Sequence, residues 1–163
     1  MHIAVAGNIG SGKSTLTKLL AKHYGWEPRF EAVEHNPYLE DYYRDIHRWS
    51  FNMEVFFLKE RFRDLITIAQ ADHTIIQDRT IYEGVYVFME NNRDMGNLSE
   101  RDYEQSIQLE YLQNLNRRYD DFIKNKYPGR VITIEKDNLD FLNIPKDLSG
   151  IIDKIDATLF GLF

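Results

Sequence analysis

The sequence has 163 residues, close to the length of one average domain, and 43% of them are hydrophobic. It carries 20 Lys and Arg against 26 Asp and Glu, and this formal charge of −6 argues against a surface that holds a nucleic-acid backbone or an anionic membrane. Because cysteine is absent, disulfides, thiolate metal sites and a cysteine nucleophile are excluded. With no long apolar run and no signal-peptide pattern, we expect one cytoplasmic domain over residues 1–163.

Short apolar segments alternate with helical patterns along the chain. This alternation predicts an α/β fold with a mainly parallel sheet. The predicted strands are residues 2–6, 29–33, 73–78 and 130–135, and the predicted helices are residues 13–24, 49–71, 81–91, 99–122 and 151–159.

A G-x-x-x-x-G-K-S motif lies between the first predicted strand and the first predicted helix. Its glycines let backbone N–H groups point into one concavity, and the helix N-terminus favours phosphate at that point. Lys13 is predicted to bridge the β- and γ-phosphates of ATP, and Ser14 to bind Mg²⁺. A glycine-rich turn with a surface lysine is the less favoured alternative, since the motif has the expected context. The predicted ATP-binding residues are Gly7, Asn8, Ile9, Gly10, Ser11, Gly12, Lys13, Ser14 and Thr15.

Acidic and basic residues follow the second and third predicted strands. Ligands of open α/β sheets bind outside the carboxyl ends of the strands, so Glu31 and Asp78-Arg79 are candidates for the acceptor side of a phosphoryl transfer. Asp78 could hold the water shell of Mg²⁺, and Arg79 could orient the base or the acceptor oxygen. The alternative is that Asp78 and Arg79 only cap the next helix and pair with each other.

These pieces, in this order, resemble the deoxynucleoside kinase family, particularly its bacterial deoxyadenosine and deoxyguanosine kinases. The resemblance implies a P-loop kinase-like, three-layer fold, ATP-dependent phosphorylation of a deoxynucleoside 5′-hydroxyl in nucleotide salvage, and a homodimer formed through the helix at 49–71. The matching stretches are residues 7–15, 30–39, 48–52, 77–83, 101–104 and 155–163.

The resemblance also implies roles for single residues. Glu31 matches the general base for the 5′-hydroxyl, and Arg79 matches the arginine that contacts this hydroxyl and the transferred phosphoryl group. The nucleoside is expected between residues 49–57, which include Phe51 and Glu54, and residues 82–88. The remaining matches are Tyr43 and Glu104 at the sugar 3′-hydroxyl, Phe88 stacked on the base, and Arg101 in the lid over the phosphates.

Three positions depart from the family pattern. Glu54 stands where the family usually has a glutamine that reads the base, and Ser99 replaces the first lid arginine. A segment that includes a strand is missing near residues 98–102, so four strands are expected where the family has five, in the order 2-3-1-4-5. Residues 130–135 would then pair directly with residues 2–6, or the sheet would be rearranged.

Two other functions stay open at this point. One is a non-catalytic nucleotide-binding or interaction protein that retains the phosphate loop without turnover. The other is a different P-loop kinase acting on a nucleoside monophosphate or a small metabolite, which would call for extra arginines such as Arg44, Arg48 and Arg61 or Arg63.

Overall fold

A computed structural model describes residues 1–33, 35–95 and 109–161 of the protein. These residues form three parallel strands, seven α-helices and two π-helical segments. In chain order the elements are β1 (His2–Val5), α1 (Lys13–Tyr24), β2 (Glu27–Arg29), α2 (Leu39–Arg44), α3 (Ile46–Gln70), β3 (Ile75–Asp78), α4 (Ile81–Glu83), a π-helical segment (Gly84–Met89), α5 (Glu90–Asp94), α6 (Leu109–Asp121), a second π-helical segment (Phe122–Lys126) and α7 (Pro145–Phe160).

The sheet has the order β1-β3-β2, and β3 pairs in parallel with both neighbours. Every residue of β3 is buried, as expected for a central strand whose two faces are both covered. Ile76 of β3 joins a core cluster with Leu16 and Leu20 of α1 and Ile151 of α7, so these two helices pack on the sheet. The predicted α/β class and parallel sheet are therefore confirmed, as are β1, α1, α3 and β3 within a few residues at their ends. The last predicted helix also forms, but α7 begins earlier than predicted, at Pro145.

The second strand was predicted at 29–33, and this position is wrong. The strand that forms is β2, which pairs Glu27 with Ile75 and ends where Arg29 meets Gln77, next to the end of β3. Beyond this point β2 has no partner, and the apolar side chains of Phe30 and Val33 are both more than two-fifths exposed. Strands end where the neighbouring ladder ends, so the residues after Arg29 enter a connecting segment.

The fourth strand, predicted over Arg130–Glu135, is absent from the described part of the chain, and the sheet has three strands rather than four. Ile132 and Ile134 still pack against the core cluster of α1 and α7, while their neighbours Val131 and Thr133 are exposed. This period of two produced the strand-like sequence pattern. A strand also needs a hydrogen-bonded neighbour, which the pattern alone does not supply.

The helix predicted over residues 81–91 is helical throughout but contains the π-helical segment Gly84–Met89. The N-terminal half of the helix predicted at 99–122 lies outside the described residues, and α6 is its described part. Within the described ranges, none of the helices is both long enough and apolar enough to cross a bilayer.

Candidate functional site

The glycine-rich loop between β1 and α1 has the backbone conformation that phosphate binding requires. Gly10 (φ 75°) and Gly12 (φ 84°) are in the left-handed region, which L side chains rarely adopt. A Cβ at Gly12 would also lie 3.0 Å from the ring of Phe141. No side chain caps α1 at Gly12, so the first N–H groups of this helix point toward the loop without a side-chain partner.

Side chains from three parts of the chain hold this loop in place. Asn8 donates from Nδ2 to the Leu112 carbonyl (3.1 Å) and to Asn116 Oδ1 (2.7 Å), and both acceptors belong to α6. Lys136 Nζ donates to the Gly10 carbonyl (3.1 Å). Lys13 Nζ donates to the Asn8 carbonyl (2.8 Å), and burial together with the positive charge of Arg79 lowers the pKa of this lysine.

The end of β3 meets the start of α1 through one hydrogen bond. Ser14 Oγ donates to Asp78 Oδ2. The other carboxylate oxygen of Asp78, Oδ1, is buried and has no hydrogen-bond partner in the described structure. A hydroxyl and a carboxylate with an unsatisfied oxygen are hard oxygen donors of the kind that Mg²⁺ prefers. Asp78 therefore does not pair with Arg79 in the described structure, as it would if these two residues only capped the next helix and paired with each other.

A cavity of about 150 Å³ lies between α2, α3 and the residues that follow β2 and β3. Its wall includes Ile9 of the phosphate loop, so it opens beside the place where a γ-phosphate would lie. Five residues predicted for the nucleoside side line it: Glu31, Tyr43, Glu54, Arg79 and Phe88.

Glu31 is held between two arginines. Arg61 Nη2 donates to Glu31 Oε1, and Arg79 Nη1 lies 3.4 Å from Glu31 Oε2. Both guanidinium groups also lie over aromatic rings, Arg79 at 4.1 Å from the ring centroid of Phe88 and Arg61 at 5.1 Å from that of Phe57. The carboxylate is thus fixed with its two oxygens engaged, although it lies two residues beyond the end of β2.

Arg79 has a strained backbone. It is the one non-glycine residue with a positive φ (66°) among those described, and its N–H donates to the Val5 carbonyl (3.2 Å). Such strain is tolerated where the surroundings fix the chain, and it is found most often at functional sites. The turn at Arg79 aims its side chain into the cavity instead of along β3.

Glu83 is a buried carboxylate next to the site, at the end of α4. Its Oε2 accepts from the Thr80 N–H (2.8 Å) in a capping box, and its Oε1 accepts from the Tyr119 hydroxyl (2.8 Å). Burial raises the pKa of Glu83, while the Thr80 N–H and Arg79 oppose this effect. Through these hydrogen bonds, the fully buried Glu83 of α4 joins α6 to the residue that follows the Arg79 turn.

Glu54 lies on the inner face of α3 and is only 4% exposed. Asn92 of α5 donates from Nδ2 to Glu54 Oε1 at 2.8 Å. Burial raises the pKa of Glu54 from its ordinary value of 4.5 to about 7, against the positive charge of Arg61. The carboxyl group is therefore close to half protonated at neutral pH.

This raised pKa predicts a pH-dependent stability. Between pH 4.5 and 7 the unfolded chain has lost the Glu54 proton and the folded protein retains it, so the free energy of unfolding falls as pH rises. Glu54→Gln removes this titration. From pH 5 to pH 8, we expect the difference in the free energy of unfolding between the variant and the parent protein to shift by about 2 kcal/mol in favour of the variant. Urea unfolding measures this difference.

The matched control is Glu40→Gln on α2, where the glutamate is exposed and pairs with Arg44. The difference between its free energy of unfolding and that of the parent protein should stay constant over the same pH range. A constant difference for Glu54→Gln would contradict the expected titration of Glu54.

Some predicted site residues lie elsewhere. Phe51 is 63% exposed on the outer face of α3 and does not line the cavity, where Phe57 takes its place in the wall. The two residues differ by six positions, and the inner face of α3 carries Glu54, Phe57 and Arg61 at helical spacing. Arg101 and Glu104 lie outside the described residues.

Sequence reasoning missed several residues of this site. Arg61 is buried in the site, whereas its sequence position was equally consistent with the helix surface. Its spacing of seven from Glu54 was a usable signal, because residues two turns apart share a helix face. Lys136, Phe141, Asn92 and Tyr119 carried no local signal, since their roles depend on contacts between distant segments.

Comparison with known proteins gives a consistent result. Residues 3–105 match the model of the deoxynucleoside kinase family. The chain is 49% identical over 102 residues to the deoxyadenosine/deoxycytidine kinase of Bacillus subtilis (strain 168), covering 63% of this chain and 47% of the relative. It is 38% identical over 120 residues to the deoxyadenosine kinase of Dictyostelium discoideum, covering 73% and 49%. The chain thus spans about half the length of these curated relatives.

Solved structures resemble the fold closely. The deoxyadenosine kinase from M. mycoides with bound dATP superposes with a TM-score of 0.79 at 27% identity, covering 96% of this chain and 99% of that one. The same enzyme with the products dCMP and a flexible dCDP gives a TM-score of 0.81 at 26% identity, covering 96% and 100%.

Proposed function

This chain belongs to the deoxynucleoside kinase family, and we propose that it transfers the γ-phosphoryl group of ATP to the 5′-hydroxyl of a deoxynucleoside. The observation that carries the proposal is the position of Glu31. This carboxylate lies in a cavity whose wall includes Arg79 on one side and Ile9 of the phosphate loop on another. A carboxylate, a guanidinium group and the glycine-rich loop thus line one cavity, and this supports the proposal because phosphoryl transfer to a hydroxyl needs a base, a cation and a phosphate site close together.

On the donor side, the glycine-rich loop and the N-terminus of α1 would hold the phosphates of ATP. The N–H groups at the start of α1 carry partial positive charge, and Lys13 can leave the Asn8 carbonyl to bind phosphate oxygens. We propose that Arg101 adds a further cation over the phosphates, as its match to the lid arginine of the family implies.

The residues present fit Mg²⁺. Ser14 Oγ and the unsatisfied Oδ1 of Asp78 lie at the start of α1, beside the phosphate loop. When bound there, Mg²⁺ would supply positive charge next to the phosphate oxygens. Ser14 would hold the ion directly, and Asp78 would hold it directly or through its water shell.

On the acceptor side, Glu31 takes the proton of the 5′-hydroxyl while that oxygen forms a bond to the γ-phosphorus. The bond between this phosphorus and the bridging oxygen of ADP breaks, and ADP leaves. Arg79 lies beside Glu31 Oε2 and stabilises the negative charge spread over the transferred group. Arg61 keeps the other oxygen of Glu31 in place, which orients the base.

The base of the nucleoside would lie between Phe57 and Phe88 on the cavity wall, with Glu54 at its edge. Tyr43, which also lines the cavity, and Glu104 are proposed to bind the 3′-hydroxyl. We propose a homodimer through α3, because Phe51, Val55, Phe62 and Ile66 form an exposed apolar stripe along this helix. Light scattering that gives a mass of 19.4 kDa rather than twice this value would exclude the dimer.

The test of the proposed function is product formation. The protein is incubated with ATP, Mg²⁺ and each of the four common deoxynucleosides, and ADP and the 5′-monophosphate are separated by chromatography. We expect equal amounts of the two products. A 2′,5′-dideoxynucleoside lacks the acceptor hydroxyl and should give neither product.

A second control is Lys13→Ala, which should lose product formation with every nucleoside. ATP binding of ordinary affinity with no phosphorylated nucleoside would contradict the proposal. That result would leave a protein that binds a nucleotide without turning it over.

A further inference from the structure

Glu54 has only one oxygen committed to the protein. Asn92, which is fully buried, donates to Oε1, and no hydrogen bond to Oε2 is formed within the described ranges. A carboxylate oxygen that already receives an N–H does not carry the proton, so protonation places the proton on Oε2. Oε1 is therefore an acceptor in both states, whereas Oε2 is an acceptor when Glu54 is ionised and a donor when it is neutral.

The charged groups around Glu54 leave both its neutral and its ionised form accessible. Arg61 on α3 and Arg79 after β3 favour the ionised form, but both are also paired with Glu31, whose negative charge opposes ionisation of Glu54. Burial disfavours the charge, and the pKa of Glu54 is about 7 as a result. The hydrogen bond from Asn92 lowers the pKa of Glu54 and so favours the ionised form, although its N–H can be donated to Oε1 in both states.

Other titratable groups near Glu54 come from α2 and α4. Tyr42 and Tyr43 of α2 line the same cavity. Glu83 on α4 is buried, and its hydrogen bonds go to Thr80 and Tyr119.

The two states of Glu54 fit different bases. Adenine and cytosine present an amino donor beside a ring-nitrogen acceptor, and guanine presents an amino donor beside a ring N–H donor. A neutral carboxyl group offers one acceptor and one donor, which matches adenine and cytosine. A carboxylate offers two acceptors, which matches guanine, and each mismatch leaves a buried polar group unpaired.

We propose that Glu54 reads the edge of the base and that its protonation state selects the substrate. The neutral form selects deoxyadenosine and deoxycytidine, and the ionised form selects deoxyguanosine. This inference rests on the proposed function, since it concerns the nucleoside side of the same cavity.

The test is a ratio measured on the unaltered protein. The kcat/KM for deoxyguanosine is divided by the kcat/KM for deoxyadenosine at several values between pH 6 and pH 8, where neither base titrates. Effects of pH on ATP binding, on the chemical step or on stability are common to both substrates and cancel. We expect the ratio to rise with pH by up to about tenfold per unit, and by at least tenfold over the range.

Two variants sharpen the result. Glu54→Gln has a fixed donor and a fixed acceptor, so its ratio should favour deoxyadenosine and stay constant with pH. Glu40→Gln, on the exposed face of α2, should keep the rising ratio of the parent protein. A constant ratio in the parent protein, or a rising ratio in Glu54→Gln, would overturn the inference.

The outcomes separate this inference from the proposed function. If the protein phosphorylates nucleosides with a constant ratio, only the role of Glu54 is wrong. If it phosphorylates none, the proposed function fails. The role of Glu54 is then tested by calorimetry, from the ratio of the binding constants of deoxyguanosine and deoxyadenosine at pH 6 and at pH 8. Equal relative affinities at the two pH values would then overturn the inference by themselves.

Discussion

Replacing Glu31 by glutamine should lower kcat by about 10²- to 10⁴-fold, the usual contribution of a positioned general base. Glutamine has nearly the same size as glutamate and keeps one oxygen that can accept from Arg61 or Arg79. It cannot take the proton of the 5′-hydroxyl. We therefore expect the dissociation constants of ATP and the nucleoside, measured by calorimetry, to change much less than kcat.

Folding must be separated from chemistry in this variant. The amide nitrogen of glutamine will face one of the two guanidinium groups that now hold the carboxylate, and this costs stability. Urea unfolding therefore accompanies the kinetic assay, and kcat is measured where the variant is fully folded. A kcat within fivefold of the parent protein under those conditions would contradict the role of Glu31 as the base.

The conformation of the glycine-rich loop was predictable because its motif consists of consecutive residues. Gly10 and Gly12 adopt the left-handed conformations that the motif requires, and Ser14 reaches Asp78 as the order of strand ends implies. Local patterns of this kind need no knowledge of the rest of the chain. The same holds for β3, whose four consecutive buried residues read as a central strand.

Sheet pairing and the buried charges were not predictable in the same way. Ile132 and Ile134 alternate like a strand, but whether a strand forms depends on a neighbour in another part of the chain. Arg61 carries the charge of a surface residue, and it is buried only because Glu31 arrives from the segment after β2 and Gly84 leaves room for its guanidinium group. Both features are decided by tertiary contacts that a single segment does not encode.

Glu31 lines the cavity although the strand predicted to carry it is misplaced. The predicted strand ended near Glu31, while β2 ends at Arg29. Being past the strand end lets the carboxylate turn into the cavity and accept from two arginines on different elements. We infer that the arginines, and not the sheet, fix the position of the Glu31 carboxylate.

That inference has a direct test in stability. Arg61→Met keeps most of the side-chain volume and removes the cation from a pair in which Arg61 is 6% and Glu31 14% exposed. Removing one partner of a buried ion pair typically costs about 3–5 kcal/mol, and here it leaves Glu31 with Arg79 as its remaining cation in the described structure. We expect a loss of this size in the free energy of unfolding at pH 8, measured by urea titration.

The double variant Arg61→Met/Glu31→Gln identifies the cause. With both charges removed, no buried carboxylate is left without its Arg61 partner, so the double variant should be about 1–3 kcal/mol more stable than the sum of the single changes predicts. Arg63→Met is the matched control, because Arg63 lies two residues further along α3, is 65% exposed and pairs with Glu60. It should change stability by less than about 0.5 kcal/mol. If Arg61→Met and Arg63→Met destabilise the protein equally, or if the two changes at Arg61 and Glu31 are additive, Arg61 does not fix the position of the Glu31 carboxylate.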